Sequence, residues 1–196
     1  MIVIFKLGGS LLTLPGLADK LRVVLGLRSD QRCLILTGGG AAADAVREWS
    51  RIHQLDDETA HWLAIASMNL NREFLGRLLP ETSVSDRDQA RLLWANKSSP
   101  LLLDMARFAT TEEASGQSLP HNWNVTSDSL AAWAAIRWPA EELVLLKSVP
   151  IPTGLSADDA SERELVDPYF PRLAPQIQRI FWCNLRAPNL LIERWL

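Results

Sequence analysis

Cysteine is scarce in this chain of 196 residues, which contains only Cys33 and Cys183. Both cysteines lie in apolar segments typical of β-strands, so the sequence predicts buried free thiols rather than a disulfide or a metal-binding pair. Free thiols persist in a reducing compartment, and we therefore expect a cytoplasmic protein.

Long apolar runs and an excess of positive charge are also missing. No stretch approaches the ~18 residues of a membrane-spanning helix, and the first residues are too short and strand-like for a signal peptide. The 20 lysines and arginines face 23 acidic residues, whereas a nucleic-acid-binding surface needs a basic excess. The sequence predicts a single domain over residues 1–196 that binds a small molecule, with neither nucleic acid nor membrane as a partner.

Tyrosine occurs once, against eight tryptophans. Most of these tryptophans lie in apolar or amphipathic segments, where packing in the core or between subunits is the usual role. We therefore expect a homo-oligomer.

Lysine is scarce too, because Lys6, Lys20, Lys97 and Lys147 stand against sixteen arginines. Lys20 and Lys97 fall in a predicted helix and a predicted turn, where solvated lysines are common. Lys6 and Lys147 instead end apolar strands, where a charge is costly without a partner. Lysine rather than arginine at both strand ends indicates a need for compact point charges. The alternative is that each lysine only marks where a strand leaves the core.

Apolar runs alternate with amphipathic segments along the chain. We predict strands over residues 2–6, 33–36, 101–103 and 142–147, with the last strand inside 176–184. We predict helices over 17–27, 41–53, 56–79 and 88–95 and from near 127, a turn over 96–99, and loops over 110–124 and 150–161. This order predicts an α/β fold, a three-layer αβα sandwich with a central, mainly parallel sheet. Ligands bind such sheets beyond the carboxyl ends of the strands.

Glycines follow the first two predicted strands. The first group reads Lys6-Leu7-Gly8-Gly9-Ser10 and the second reads Thr37-Gly38-Gly39-Gly40. Glycine lets backbone N–H groups approach an anion closely, so both groups indicate phosphate binding. Neither group has the Walker or the Gly-x-Gly-x-x-Gly pattern. The alternative for each is a tight turn between a strand and a helix.

A cluster of small polar residues over 122–129 precedes the alanine-rich helix. Such a helix N-terminus favours anions, which would make it a third anion site at a strand end. Within it, Asp128 could accept hydrogen bonds from both Lys6 and Lys147 and hold them in place. We interpret Asp167 as a cap or turn residue.

Other chemistries lack their signatures. The three histidines, His53, His61 and His121, do not have the spacing of metal ligands, and no Gly-x-Ser-x-Gly elbow marks a Ser/His/Asp site. The sequence therefore predicts no metal centre held by the protein alone.

The two glycine groups and the pair Asn124 and Asp128, in this order, resemble the amino acid kinase superfamily, which includes aspartate, acetylglutamate, carbamate, uridylate and isopentenyl phosphate kinases. The resemblance implies a kinase that uses ATP and Mg²⁺. It implies that Lys6 contacts the transferred phosphoryl group and that Asp128 orders the catalytic lysines. Nucleotide phosphates would be held by Gly8, Gly9 and Ser10, with Lys147, and the acceptor by Gly38, Gly39, Gly40 and Asn124.

A narrower resemblance rests on Trp123-Asn124-Val125-Thr126-Ser127-Asp128-Ser129, on residues 145–149 and on residues 39–47. These segments are similar to the [5-(aminomethyl)furan-3-yl]methyl phosphate kinases of methanofuran-type cofactor synthesis. This branch implies a phosphorylated aminomethylfuran as the acceptor, in one-carbon metabolism. Asp44 or Arg47 would contact its amine or phosphate. Residues 1–125 would form mainly the acceptor side and 126–196 a shortened nucleotide side.

The C-terminal part departs from the superfamily pattern, because no lysine follows Lys147. Either Lys147 is the second catalytic cation, or Arg163, Arg172 or Arg179 replaces it, or nucleotide binding is weakened. A kinase for another small acceptor (a nucleoside monophosphate, an amino acid or an isoprenoid phosphate) and a non-catalytic binding protein are the alternatives.

Overall fold

The computed structural model describes residues 1–96 and 99–196. Lys97 and the centre of the turn predicted over 96–99 lie outside the described residues.

The described residues contain one sheet of seven strands. These are β1 (Ile2–Leu7), β2 (Arg32–Thr37), β3 (Thr82–Val84), β4 (Leu101–Leu103), β5 (Glu142–Lys147), β6 (Ile180–Asn184) and β7 (Glu193–Arg194). The order across the sheet is β3-β4-β2-β1-β5-β6-β7. Neighbouring strands are parallel except for β6 and β7, which are antiparallel.

Helices connect the strands and cover both faces of the sheet. They are α1 (Leu17–Gly26), α2 (Gly40–His53), α3 (Asp57–Leu78), α4 (Arg87–Asn96), α5 (Met105–Ala114), α6 (Ser127–Arg137), α7 (Ala157–Glu162) and α8 (Phe170–Leu173), with short 3₁₀ turns at Gly9–Leu11 and Ala174–Gln176. Among these described helices, none is long and apolar enough to cross a membrane.

Two hydrophobic cores separate the layers, because successive side chains of a strand point to opposite faces. Ile4 packs into the core that contains the buried side chains of α6. Val3 and Phe5 pack into the other core with the buried side chains of α1. The structure thus confirms the predicted α/β sandwich with its mainly parallel sheet.

Three predictions of local structure are wrong. Residues 110–114 belong to α5 rather than to a loop, since Asp104 caps that helix by accepting a hydrogen bond from the Arg107 N–H at 3.0 Å. The loop predicted over 150–161 contains the start of α7, which Ser156 caps. The strand predicted as the last one, β6, is followed by the two-residue edge strand β7.

The parallel strands bring the candidate residues to one edge of the sheet. Lys6 lies beside Leu36 of β2 and Leu145 of β5, and Lys147 lies beside Asn184 of β6. Both lysines therefore approach the carboxyl ends of neighbouring strands, where open α/β sheets bind their ligands.

Candidate active site

Lys6, Asp128 and Lys147 form one buried group, which we call the lysine cluster. The Lys6 Nζ lies 2.9 Å from Asp128 Oδ1, and the Lys147 Nζ lies 2.8 Å from Asp128 Oδ2. The two lysines end the adjacent strands β1 and β5, while Asp128 lies in the first turn of α6 above them. One carboxylate thus holds two ammonium groups side by side.

The charges of the lysine cluster determine its electrostatics. Burial raises the pKa of Asp128, but the charges of Lys147 and Lys6 outweigh it and lower that pKa to about 2. Burial, against the attraction of Asp128, lowers the pKa of Lys147 to about 8. At pH 7 two cations therefore face one anion, and the excess positive charge in a buried place favours an anionic ligand.

Lys147 has further contacts that fix its position. Its ammonium group donates to the Leu165 carbonyl oxygen at 2.6 Å and lies 5.3 Å from the centroid of the Trp182 ring. With the bond to Asp128, two of its three N–H donors are engaged. The third donor can serve a phosphate oxygen.

The three arginines that were considered as replacements for Lys147 are not ion-paired with Asp128 in the described residues. Arg179 pairs with Glu142 at the amino end of β5, with its guanidinium 3.4 Å from the carboxylate. Arg172 lies over the Tyr169 ring, and Arg163 is exposed. Among the described residues, the ion pairs of Asp128 are those with Lys6 and Lys147.

The two glycine groups pack directly against each other. A Cβ atom on Gly9 would lie 2.2 Å from the Gly40 nitrogen, and one on Gly40 would lie 2.8 Å from the Gly9 oxygen. Gly40 also has a φ of +51°, which disfavours other residues. Close packing of the two loops therefore requires glycine here, apart from any role in binding phosphate.

Part of the glycine backbone is already hydrogen-bonded within the protein. The Gly8 N–H donates to the Leu146 oxygen at 2.9 Å, and the Gly38 N–H donates to the Leu7 oxygen at 2.7 Å. The N–H groups of Gly9 and Ser10 instead begin a 3₁₀ turn, so the turn supplies no acceptor for them. These two are the donors best suited to an anion.

Asn71 of α3 is a functional candidate that sequence reasoning missed. Its side-chain amide is buried and donates to the carbonyl oxygens of Gly38 and Gly39, both at 2.7 Å. It therefore fixes the second glycine loop. An isolated asparagine in a helix carries no signal that could have revealed this contact.

The helix N-terminus predicted as a third anion site already holds a carboxylate of the protein. Asp167 accepts hydrogen bonds from the Thr126 N–H at 3.0 Å and the Ser129 N–H at 2.9 Å, and also from both hydroxyl groups. Asp167 therefore takes up part of this N-terminus, and binding of a further anion to the remaining N–H groups stays a prediction, while the interpretation of Asp167 as a cap is confirmed. It caps a helix that begins about 40 residues earlier, which local spacing cannot reveal.

A cavity of about 430 Å³ opens beside the glycine loops, between α2, α3 and residues 122–130. Asp44 and Arg47 line it and form an ion pair at 3.1 Å, and the Arg47 guanidinium lies 4.5 Å from the centroid of the Trp123 ring. Ser127, next to Asp128, lines the cavity as well. We call this the acceptor cavity.

Asn124, predicted to contact the acceptor, is exposed and is not one of the residues that line the acceptor cavity in the part of the chain that the structure describes. Its carbonyl oxygen accepts a hydrogen bond from the Tyr169 N–H at 3.1 Å. Asn122, two residues earlier, does line the cavity. In this arrangement the asparagine at the cavity is not the one that the motif indicated.

A second charged group adjoins the acceptor cavity and had no signal in the sequence. It contains Glu58, His61, Glu113 and His121, and we call it the histidine cluster. The His121 Nδ1 lies 2.5 Å from Glu58 Oε2 and its Nε2 lies 2.8 Å from Glu113 Oε1. His61, which lines the cavity, stacks on the His121 ring with the centroids 3.9 Å apart.

The pKa values of the two histidines in the histidine cluster are shifted in opposite directions. Burial opposes a charge on His121, but its bonds to Glu58 and Glu113 outweigh burial and raise the pKa of its ring. Burial and the neighbouring His121 charge lower the pKa of His61 to about 4. His61 is therefore neutral near pH 7, and the ring of His121 beside it lies between two carboxylates that favour its cationic form.

Comparisons with known proteins agree with this architecture. A family model described as the amino acid kinase family matches residues 1–159. Uridylate kinase from Archaeoglobus fulgidus is similar with a TM-score of 0.62 and 16% identity, over 93% of this chain and 90% of that one. UMP kinase from Ureaplasma parvum gives 0.65 and 15%, over 97% and 92%.

Aspartate kinase from Synechocystis gives a TM-score of 0.65 and 12% identity, over 98% of this chain and 40% of that one. No curated protein is significantly similar to the chain in sequence. At these identities the solved structures establish a shared fold.

Proposed function

Because the chain belongs to the amino acid kinase family and is thus a phosphotransferase acting on a small molecule, we propose that it transfers the γ-phosphoryl group of ATP to a phosphorylated aminomethylfuran. We assign residues 1–125 mainly to the acceptor and residues 126–196 mainly to the nucleotide. The resemblance of residues 39–47 and 123–129 to the aminomethylfuran phosphate kinases motivates this acceptor.

The lysine cluster is the observation that carries the reaction. Phosphoryl transfer needs alignment of the reactants and neutralisation of charge on the phosphate oxygens more than covalent help. Lys6 and Lys147 would flank the transferring group, and Asp128 would keep both ammonium groups oriented toward it. Their excess positive charge, buried beside the acceptor cavity, supports this role.

The donor phosphates would bind to the N–H groups of Gly9 and Ser10, with Gly8 permitting close approach. Ser10 also lies near the start of the loop after β5, with its Oγ 3.3 Å from the Ser148 Oγ. Mg²⁺, when bound, neutralises the donor phosphates. Asp128 is committed to two lysines, so the donor set here suits an ion that is carried by the nucleotide.

The charge of the acceptor cavity supports an acceptor with both an amine and a phosphate. Arg47 offers a cation to the phosphate and pairs with Asp44. Asp57 and Glu164 line the same cavity and offer carboxylates to the amine. The Trp123 ring beside Arg47 offers an apolar surface to a flat ring such as furan. A nucleoside monophosphate would gain less, since it has no ammonium group for the acids.

An ADP-release assay with a panel of acceptors tests the proposal. The panel contains aminomethylfuran phosphate, UMP, aspartate and isopentenyl phosphate, each with Mg-ATP. We expect turnover with the furan and a KM at least tenfold lower than for UMP. Turnover with UMP alone would reject the furan acceptor and retain the kinase.

The side chains of Lys6 and Lys147 are only 4% and 13% exposed, so their access to a nucleotide is the point at which the kinase and the alternative of a non-catalytic binding protein differ. Calorimetric titration with Mg-ATP separates the two. Binding of Mg-ATP that Lys147→Ala weakens at least tenfold supports catalysis, and a complete lack of binding supports the alternative.

We also propose self-association through exposed apolar side chains. Leu63, Leu70 and Phe74 lie on one face of α3, and Trp49 and Ile52 lie on the neighbouring helix α2. Burying such a surface against a second copy would be favourable. Light scattering of the wild-type protein and of Leu70→Glu measures it, and a monomeric wild-type protein would contradict it.

A further inference from the structure

The histidine cluster takes no part in the proposed phosphoryl transfer, yet it has the composition of a metal site. One ring nitrogen each of His61 and His121 and one carboxylate oxygen of Glu113 lie within 4.8 Å of one another. The three residues come from α3, from the loop before α6 and from α5. Two imidazoles and a carboxylate form a ligand set that Zn²⁺ binds in proteins.

His61 has a free nitrogen that suggests a missing ligand. Its Nε2 is buried and has no hydrogen-bond partner within the part of the chain that the structure describes, and the whole residue is 8% exposed. Buried polar atoms are nearly always paired, so an unpaired one requires a reason. A bound ion would provide it.

Glu58 orients His121 in the way that carboxylates orient metal-binding histidines. It accepts from His121 Nδ1 through Oε2 at 2.5 Å, while its Oε1 accepts from the Trp62 Nε1 at 2.7 Å. In metal sites, such a carboxylate fixes the ring so that the other nitrogen faces the ion. The His121 Nε2 points toward Glu113, 2.8 Å away.

We propose that His61, His121 and Glu113 bind a divalent transition-metal ion of the zinc class. The ion takes the place of the proton between His121 Nε2 and Glu113, and this proton passes to solvent. Three protein ligands leave one coordination position for water or a ligand. Since His61 also lines the acceptor cavity, the site borders the space where the acceptor would bind.

Metal binding requires the two rings to move. They now stack with an angle of 8° between their planes, whereas a metal ion lies near the plane of each imidazole that binds it. The rings must therefore tilt out of the stack. Trp62, whose ring meets both imidazoles edge-on with centroids 5.4 and 5.8 Å away, is placed to report this movement.

Titration with Co²⁺ and Zn²⁺ tests the proposal in protein that has been dialysed against a chelator. No ATP or acceptor is added, so the result is independent of the proposed kinase reaction. We expect one Co²⁺ per chain, with the visible absorption of a tetrahedral site, and its displacement by Zn²⁺. Absence of this absorption and of any heat on adding Zn²⁺ would overturn the proposal.

Variants separate this site from incidental surface binding. His61→Ala and Glu113→Gln should abolish the Co²⁺ spectrum, and Glu58→Gln should weaken affinity about 10- to 100-fold. His53→Ala is the matched control, because His53 is an exposed histidine outside the cluster. Circular dichroism checks that each variant folds. If His61→Ala does not fold, the results for Glu113→Gln and Glu58→Gln decide the test. Equal affinity in His53→Ala and Glu113→Gln would overturn the proposal.

Discussion

The lysine cluster and the histidine cluster have opposite charge patterns. Ser127, the neighbour of Asp128, lines the acceptor cavity, and so does His61 of the histidine cluster. In the lysine cluster, one carboxylate lies between two ammonium groups, and in the histidine cluster, one imidazole ring lies between two carboxylates. The first is fixed at strand ends in the centre of the sheet, whereas the second joins two helices and a loop. The central sheet thus positions a buried excess of positive charge, whereas the more exposed histidine cluster contains an excess of carboxylates.

Asp128→Asn should produce the largest change in stability. It leaves two lysines in a buried place without their anion, which costs about 3–5 kcal/mol of unfolding free energy. Urea denaturation measures this cost, and adding Lys147→Met to the variant should recover part of it. Glu58→Gln at the histidine cluster should cost less, because the Glu58 side chain is 64% exposed. A larger loss in Glu58→Gln would invert the comparison.

Lys6→Ala should lower turnover by about 100- to 1,000-fold, since it removes a cation from the developing charge on the phosphoryl group. Steady-state ADP release measures this loss. Lys20→Ala is the matched control, because the Lys20 ammonium bonds to the Ala187 carbonyl oxygen away from the cluster. Similar rates in the two variants would remove Lys6 from the mechanism.

Turnover should fall above pH about 8, the pKa that burial gives to Lys147. The cation is the active form, so each pH unit above this value lowers the rate about tenfold. Lys147→Arg should move the fall to higher pH, because arginine stays charged. A pH–rate profile of both proteins measures the shift, and identical alkaline limbs would show that another group titrates.

Stability should depend on pH differently at the two clusters. The pKa of His121 is raised above 6.5, so its charge stabilises the fold below that value, and this contribution is lost as pH rises through the raised pKa. The pKa of Asp128 is lowered from 3.8 to about 2, so its contribution is present above 3.8 and is lost only as pH falls toward 2.

In protein dialysed against a chelator, the difference in unfolding free energy between the wild-type protein and His121→Gln should therefore shrink from pH 6 to pH 9. His53→Gln, an exposed control, should show no such trend. A difference that is constant with pH would mean that His121 is not held as a cation.

Much of the fold was predictable from local pattern. The bounds of β4 and β5 match the prediction, because short apolar runs between polar residues have few other folded states. The end of α5 was predicted as a loop, since the exposed face of this helix is polar and its buried residues, Met105, Phe108 and Ala109, are few. The two-residue strand β7 depends on pairing with β6 and has no pattern of its own.

The candidate site divides in the same way. Sequence alone determined that lysines end β1 and β5, that glycines follow β1 and β2, and that a short acid-bearing turn opens α6, since each of these features is encoded within a few neighbouring residues. The catalytic and binding roles of these residues remain predictions.

Only the tertiary structure decided which residues meet across the chain. It brought Asp167 to the N-terminus of α6, Asn71 to the second glycine loop and His121 to His61. These contacts join residues about 30 to 60 positions apart, so they depend on how the intervening helices pack. The sequence determined which groups the protein carries, and packing decided which of them are paired and which, like the His61 Nε2, have no hydrogen-bond partner among the described residues.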